Sequence, residues 1–261
     1  MQKERYYYLI HLQYLGYRYS GWQHQPGHKT VEGMLVKTLK FILPDVTCKI
    51  LGAGRTDAKV SALDMAFELF LDGSPLPELD NFKREFNKNL PSDIRILSVK
   101  EISKGFNIIK DSRAKEYVYL FSFGKKNHPF CAPFLANIQE ELDIGLMMRC
   151  AQLFVGTYDF SPYTARLKPN TQVIRTIDAC EIRKNTILEA NFFPATSYAL
   201  HITGSGFMRY QIRMIMGALI QVGKGELSLS DIKASLQGDH TAPLTSVAPG
   251  SGLMLYDLEF E

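Results

Sequence analysis

The chain has 261 residues, a formal net charge of +3, 46% hydrophobic and 22% charged residues. A chain of this length buries a core without disulfide or metal support, and no apolar run nears the roughly 20 residues that a bilayer-spanning helix needs. Four widely spaced cysteines (Cys48, Cys131, Cys150, Cys180) form no Cys-x-x-Cys and read as free thiols in a reducing compartment.

The N-terminus, Met1-Gln-Lys-Glu-Arg5, shows no basic region followed by an apolar one, so no secretory leader is expected and the expected location is the cytoplasm. Tyr6 to Tyr14 reads as an aromatic strand and Gly16 to Gln25 as a polar, aromatic loop. Thr30 is placed to cap a helix reaching about Leu43, with Val31, Leu35, Leu39 and Ile42 on one stripe. Leu51 to Asp57 reads as a glycine-containing loop. Met65, Phe67, Leu69 and Leu71 alternate along a strand ended by Gly73-Ser-Pro, and Asp80 to Leu90 reads as a helix stopped by Pro91.

Further on, Tyr117 to Phe123 reads as a strand and residues 127–136 as a loop with Pro129 and Pro133. Asp143 caps a helix through Phe154. Residues 186–193 and 199–204 read as strands. Phe207 to Val222 reads as a strongly apolar helix closed by Gly223-Lys-Gly225. Ser230 starts a short helix, and Met254, Tyr256, Leu258 and Phe260 alternate on a last strand. Similar mixtures in both halves predict an α+β fold of two subdomains sharing one continuous sheet, divided near residue 105.

Charge is unevenly spread. Residues 1–60 hold nine Lys/Arg against four Asp/Glu, residues 206–225 three basic residues and no acid, and residues 226–261 one Lys and six acids. This fits a polyanion on one face, although a solvated surface gives the same asymmetry. Familiar chemical motifs fail. His24 and His28 are four apart, but Pro26-Gly27 forbids the helix that would align them on a metal. Gly52-Ala-Gly54 lacks the third glycine of a dinucleotide loop, because position 57 is Asp. Gly27-His-Lys-Thr lacks the glycine directly before Lys29 and the spacing of a phosphate loop, and no Gly-x-Ser-x-Gly occurs.

Two segments stand out. In Gly52-Ala-Gly-Arg-Thr-Asp57-Ala, a tight turn exposes Arg55 and Asp57, although on these residues alone a turn aspartate bonding nearby amides or capping a short helix is the favoured explanation of the carboxylate. In the helix expected over residues 207–222, Arg209 and Arg213 fall four apart and share a face. A guanidinium cannot shed its proton, so a buried Arg213, two turns in, calls for a carboxylate or phosphate. The bland reading is that both arginines snorkel to water.

Together these segments resemble the TruA family of pseudouridine synthases. Gly54-Arg-Thr-Asp-Ala58 resembles the family signature. Gly21-Trp-Gln-His-Gln25, Thr30-Val31, Ala114-Lys-Glu-Tyr117-Val-Tyr119, Gly156-Thr-Tyr-Asp-Phe-Ser161, Gly206-Phe-Met-Arg-Tyr-Gln-Ile-Arg213 with Gly217 and Val222-Gly-Lys-Gly225, and Ala248-Pro-Gly-Ser-Gly-Leu253 match further segments in order. One departure is Lys59-Val-Ser61-Ala, where the family usually reads Gly-Val-His-Ala.

The resemblance implies isomerisation of uridine to pseudouridine in structured RNA, by default in the anticodon stem-loop of tRNA, with no cofactor, metal or nucleotide. The target base is extruded from its stack into a pocket. It implies Asp57 as nucleophile or as base on the sugar, Arg213 as its ion-pair partner, Tyr117 against the flipped base, Arg55 filling the gap that base leaves, and Leu253 walling the pocket. A mostly antiparallel sheet, helices packed on one side, a positively charged cleft and a homodimer are implied as well. The subdomains expected are 1–105, carrying the Gly-Arg-Thr-Asp loop, and 106–261, carrying the tyrosine strand and the arginine helix.

Overall fold

A computed structural model describes residues 4–165, 167, 169–238 and 246–260. Residues 1–3, part of the stretch read above for a leader, and residues 239–245 and 261, part of the acidic stretch, lie outside the described residues. In chain order the elements are β1 (Arg5–Tyr14), α1 (Val31–Ile42), β2 (Thr47–Gly52), β3 (Ser61–Asp72), α2 (Leu79–Asn89), β4 (Ile94–Glu101), β5 (Ser112–Phe123) and β6 (Ala136–Ile138). There follow α3 (Ile144–Ala151), β7 (Gly156–Asp159), β8 (Ile174–Ile177), β9 (Ala179–Lys184), β10 (Tyr198–Gly204), α4 (Gln211–Gly223), α5 (Leu229–Leu236) and β11 (Leu253–Phe260). The fold is mixed α and β, as expected, with mostly antiparallel strand pairing. Two compact units emerge, one of residues 1–113 and 255–261, the other of residues 114–254.

In the first unit β1 lies between β3 and β4, antiparallel to both, and β2 pairs antiparallel with Phe67–Asp72 of β3. Alternation buries Tyr8, Ile10 and Leu12 on one face of β1. Leu9, on the other face, joins Ala53, Ala66, Ile108 and Leu258, with Phe106 and Phe260 packed on them. The sheet is thus covered on both faces. For the same reason β3 buries Ala66 and Glu68 as well as the predicted Met65, Phe67, Leu69 and Leu71. The buried Glu68 carboxyl is raised above its usual range by desolvation, which a hydrogen bond to the Ile108 backbone partly offsets. Helix α1 begins where expected, with the Thr30 hydroxyl accepting from the Gly33 N–H at 3.2 Å. Leu51 and Gly52 are the end of β2 rather than loop, and β4 was not anticipated.

In the second unit β10 runs antiparallel between β5 and β9, β6 lies parallel to β5, and β7 and β8 form a separate antiparallel pair. The Asp143 carboxylate caps α3 through the Leu146 N–H at 2.8 Å. Helix α5 starts at Leu229, one residue before the expected Ser230, after a capping box of Ser228 and Asp231.

Residues 186–193 are not a strand; the strand lies earlier, as β9. Asn185 ends it by turning its side chain onto the local backbone, accepting from Ile187 N–H at 2.9 Å and donating to Leu188 O at 2.8 Å. The apolar helix begins at Gln211, not Phe207. Tyr210 takes a left-handed φ of 63°, and residues 208–211 form a turn in which the Met208 N–H donates to the Gln211 side chain at 2.8 Å. From Gln211 onward α4 is buried almost all round, as its composition predicts.

Candidate active site

The first unit builds a loop of residues 53–60 against the aromatic segment that follows β1. Glycine is required at two points of that contact. A Cβ on Gly16 would stand 1.9 Å from the Val60 carbonyl oxygen, and one on Gly21, whose φ is 100°, would stand 2.7 Å from the Thr56 carbonyl oxygen. With both side chains absent the backbones join. Trp22 N–H donates to Thr56 O at 3.1 Å, Lys59 N–H to Tyr19 O at 3.0 Å, and Gly16 N–H to the Ser61 hydroxyl at 2.9 Å. The Tyr14 and Thr56 hydroxyls bond at 2.8 Å in the interior. Trp22 is buried against Tyr14 and Phe67, and Gly52 lies under its indole.

The aromatic segment is anchored in turn. Asp93 accepts from the Tyr19 hydroxyl at 2.7 Å and from Arg18 Nε at 2.8 Å. Burial pushes the Asp93 carboxyl up, but these bonds outweigh it and hold it below its usual range. Tyr19 is pushed well up by burial and by the adjacent carboxylate, so it stays a donor. On the platform so made Asp57 is half-buried and Arg55 exposed. The loop therefore presents one carboxylate and one guanidinium on a backbone fixed at Thr56, Lys59 and Ser61.

The second unit gathers the rest. Arg213 lies in the first turn of α4, not two turns in, because the helix starts late. Its Nε donates to the Ala248 carbonyl at 2.7 Å, and the Ala248 N–H donates back to the Arg213 carbonyl at 3.0 Å. The adjoining turn Gly250–Gly252 is bound by the buried Tyr119, whose hydroxyl donates to Pro249 O at 2.9 Å. Gly252 lets that turn close on Leu120 O and the Tyr119 ring. The buried Leu253 follows directly. Tyr117, two residues before Tyr119 on β5, meets Phe207 edge-on at 5.4 Å between ring centres.

Arg209 does not share a helix face with Arg213, since it precedes the helix and is exposed. Its carbonyl accepts from the Thr164 hydroxyl at 2.9 Å. Both guanidiniums nevertheless lie over the Tyr210 ring, at 5.1 and 4.8 Å from its centre. The structure thus brings Arg55 and Asp57 together in one unit, and Arg213, Leu253 and Tyr117 into the other. Among the described residues no cluster of three His, Cys, Asp or Glu is arranged for a metal.

Residues 150–261 match a family described as tRNA pseudouridine synthase. Over nearly the whole chain there are relatives with the same kind of name. A tRNA pseudouridine synthase A of Thermodesulfovibrio yellowstonii is 30% identical over 253 residues, covering 94% of this chain and 95% of the relative. The chain belongs to the TruA family of tRNA pseudouridine synthases. Family members are isomerases. Further relatives are the tRNA pseudouridine synthase A 2 of Bacillus anthracis, 29% identical over 254 residues (97% of this chain, 99% of the relative), and the tRNA pseudouridine synthase A of Shouchella clausii, 28% identical over 249 residues (95% and 91%).

Within this TruA chain, Lys59 and Ser61 mark the departure from the signature. Lys59 has a φ of 67°, so the glycine-like turn persists with a lysine on it. Ser61 is buried and takes the Gly16 N–H. Sequence reasoning missed Asp93, which anchors the loop's platform, and Tyr210, which lies beneath two cations. Asp93 sits next to no motif, and Tyr210, inside the Gly206–Arg213 segment, reads as one more apolar position of the helix stripe. A tyrosine between two arginines near a helix start was the one available hint.

Proposed function

We propose that this protein isomerises uridine to pseudouridine in tRNA, within the anticodon stem-loop. The observation that carries the reading is the similarity to pseudouridine synthases along almost the full chain. The Gly-Arg-Thr-Asp loop adds support, since its backbone is held at Thr56 and Lys59 and its aspartate is half-buried rather than sealed in the core.

In the proposed reaction the base leaves the stack, the bond from C1′ to N1 breaks, the base turns, and a bond from C1′ to C5 forms. C5 loses a proton and N1 gains one. Reactant and product have the same atoms, so the reaction consumes no cosubstrate, and the proposed mechanism uses this chain's own side chains. Asp57 acts as nucleophile or as base on the sugar, and in either role it must be ionised. Arg213 is proposed as its ion-pair partner, because an adjacent guanidinium favours the charged carboxylate. Tyr117 is assigned to pack on the flipped base and relay a proton, Arg55 to fill the vacated place in the stack, and Leu253 to wall the pocket.

The accompanying arrangement is also our reading. It has subdomains of residues 1–105 and 106–261 on one shared sheet, helices on one side, a cationic cleft that grips RNA phosphates, and a cytoplasmic homodimer with RNA lying across both subunits. The test is incubation of purified protein with unmodified tRNA transcripts, followed by chemical mapping of pseudouridine. The expected result is new pseudouridine in the anticodon arm. Binding without product on every tRNA would overturn the assignment.

A further inference from the structure

Lys59 stands two residues beyond Asp57 with its backbone in the left-handed region, at φ 67°. That region is strained for a side chain bearing a Cβ and costs glycine nothing. The surrounding main chain imposes the conformation, through the bond from Lys59 N–H to Tyr19 O and that from Val60 N–H to Asp57 O at 3.2 Å. A glycine would make both bonds equally well. The lysine side chain is exposed and fills no core. Its Nζ sits 5.6 Å from the centre of the Tyr17 ring, itself 37% exposed. No carboxylate pairs with it among the described residues. Strain retained at a long exposed cation, whose contact with the exposed Tyr17 ring offsets it only weakly, points to a ligand. The ligand's charge follows from the loop, because exposed Arg55 and Lys59 bracket the half-buried Asp57 on either side along the chain.

We infer that Lys59 is a substrate-binding residue that takes an RNA phosphate beside the nucleotide presented to Asp57, with the Tyr17 ring holding the side chain in place when no RNA is bound. The inference rests on the RNA-modifying reading above. An ammonium is a compact point charge suited to one phosphate oxygen. Such a contact fixes register along the strand without reading a base, so Lys59 bears on which uridine is presented.

The test compares wild type, Lys59→Gly and Lys59→Arg for tRNA binding across salt concentrations, for kcat and KM, and for melting temperature. Lys59→Gly should melt at the wild-type temperature or above it. Its affinity should fall and its salt dependence become shallower by about one unit of logarithmic slope. The kinetic loss should fall in KM, by about fivefold, and Lys59→Arg should recover most of it. Wild-type affinity and slope in Lys59→Gly would overturn the inference. So would a lower melting temperature in that variant, or a Lys59→Arg variant no better than Lys59→Gly. If wild type makes no pseudouridine but the slope still differs between it and Lys59→Gly, the phosphate contact stands and the reaction assignment fails.

Discussion

Arg213 occupies a costly place for a cation. The first turn of a helix exposes unsatisfied N–H groups, and its dipole disfavours positive charge there. The neighbouring groups offset this with the Ala248 carbonyl at Nε and the Tyr210 ring beneath the guanidinium. Arg213→Leu should therefore cost about 2 kcal/mol of stability, from the orphaned carbonyl and the lost ring contact. It should also remove activity if the proposed pairing with Asp57 holds. Denaturant unfolding and the pseudouridine assay check the two effects, and a fully active variant would rule out that pairing. The need for a partner at Arg213 was legible, since an arginine in so apolar a segment demands one. Its address in the helix was not. Phe207 and Tyr210 continue the 3.6-residue stripe, and only the left-handed φ of Tyr210, invisible to periodicity, moves the start to Gln211.

At the scale of elements, the loop bearing Asp57 is rigid because a neighbouring segment is. Asp93, just ahead of β4, fixes Arg18 and Tyr19, and the Tyr19 carbonyl fixes Lys59. Asp93→Asn should lower stability by about 1–2 kcal/mol at neutral pH, as expected for hydrogen bonds to a half-buried charge. The folded state holds this carboxyl below its usual value of 3.8. Its stabilisation is therefore complete above that value and is lost as pH falls through the lower folded value. Melting curves across pH should show wild type and variant converging at acid pH, and a gap of constant size would contradict the assigned network. Elements with marked signals were legible: Thr30 before α1, Asp143 before α3, the aromatic run of β1, the alternation in β11. The short β2 and β4 were not, because the apolar Leu51 is exposed at the end of β2 and the pairing of β4 with β1 shifts between Ile96 and Ser98, which breaks the alternation. Residues 186–193, rich in apolar side chains such as Ile187, Leu188 and Phe192, are not a strand because Asn185 turns the chain there.

For the whole molecule, family membership and the α+β class followed from segments spread along the chain. The motif order carried the first and the mixture of periodicities the second. What composition left open was the partner, because a net charge of +3 is too small to name one. The account depends most on a single carboxylate, and the direct measurement pairs product with binding for Asp57→Ala. Purified wild type and variant are incubated with the same tRNA, and pseudouridine is quantified alongside the fraction of tRNA bound. The account predicts product from wild type, none from the variant, and similar binding by both. Turnover by the variant within about tenfold of wild type, a loss far below the roughly million-fold that removing a nucleophile or base produces elsewhere, would contradict it.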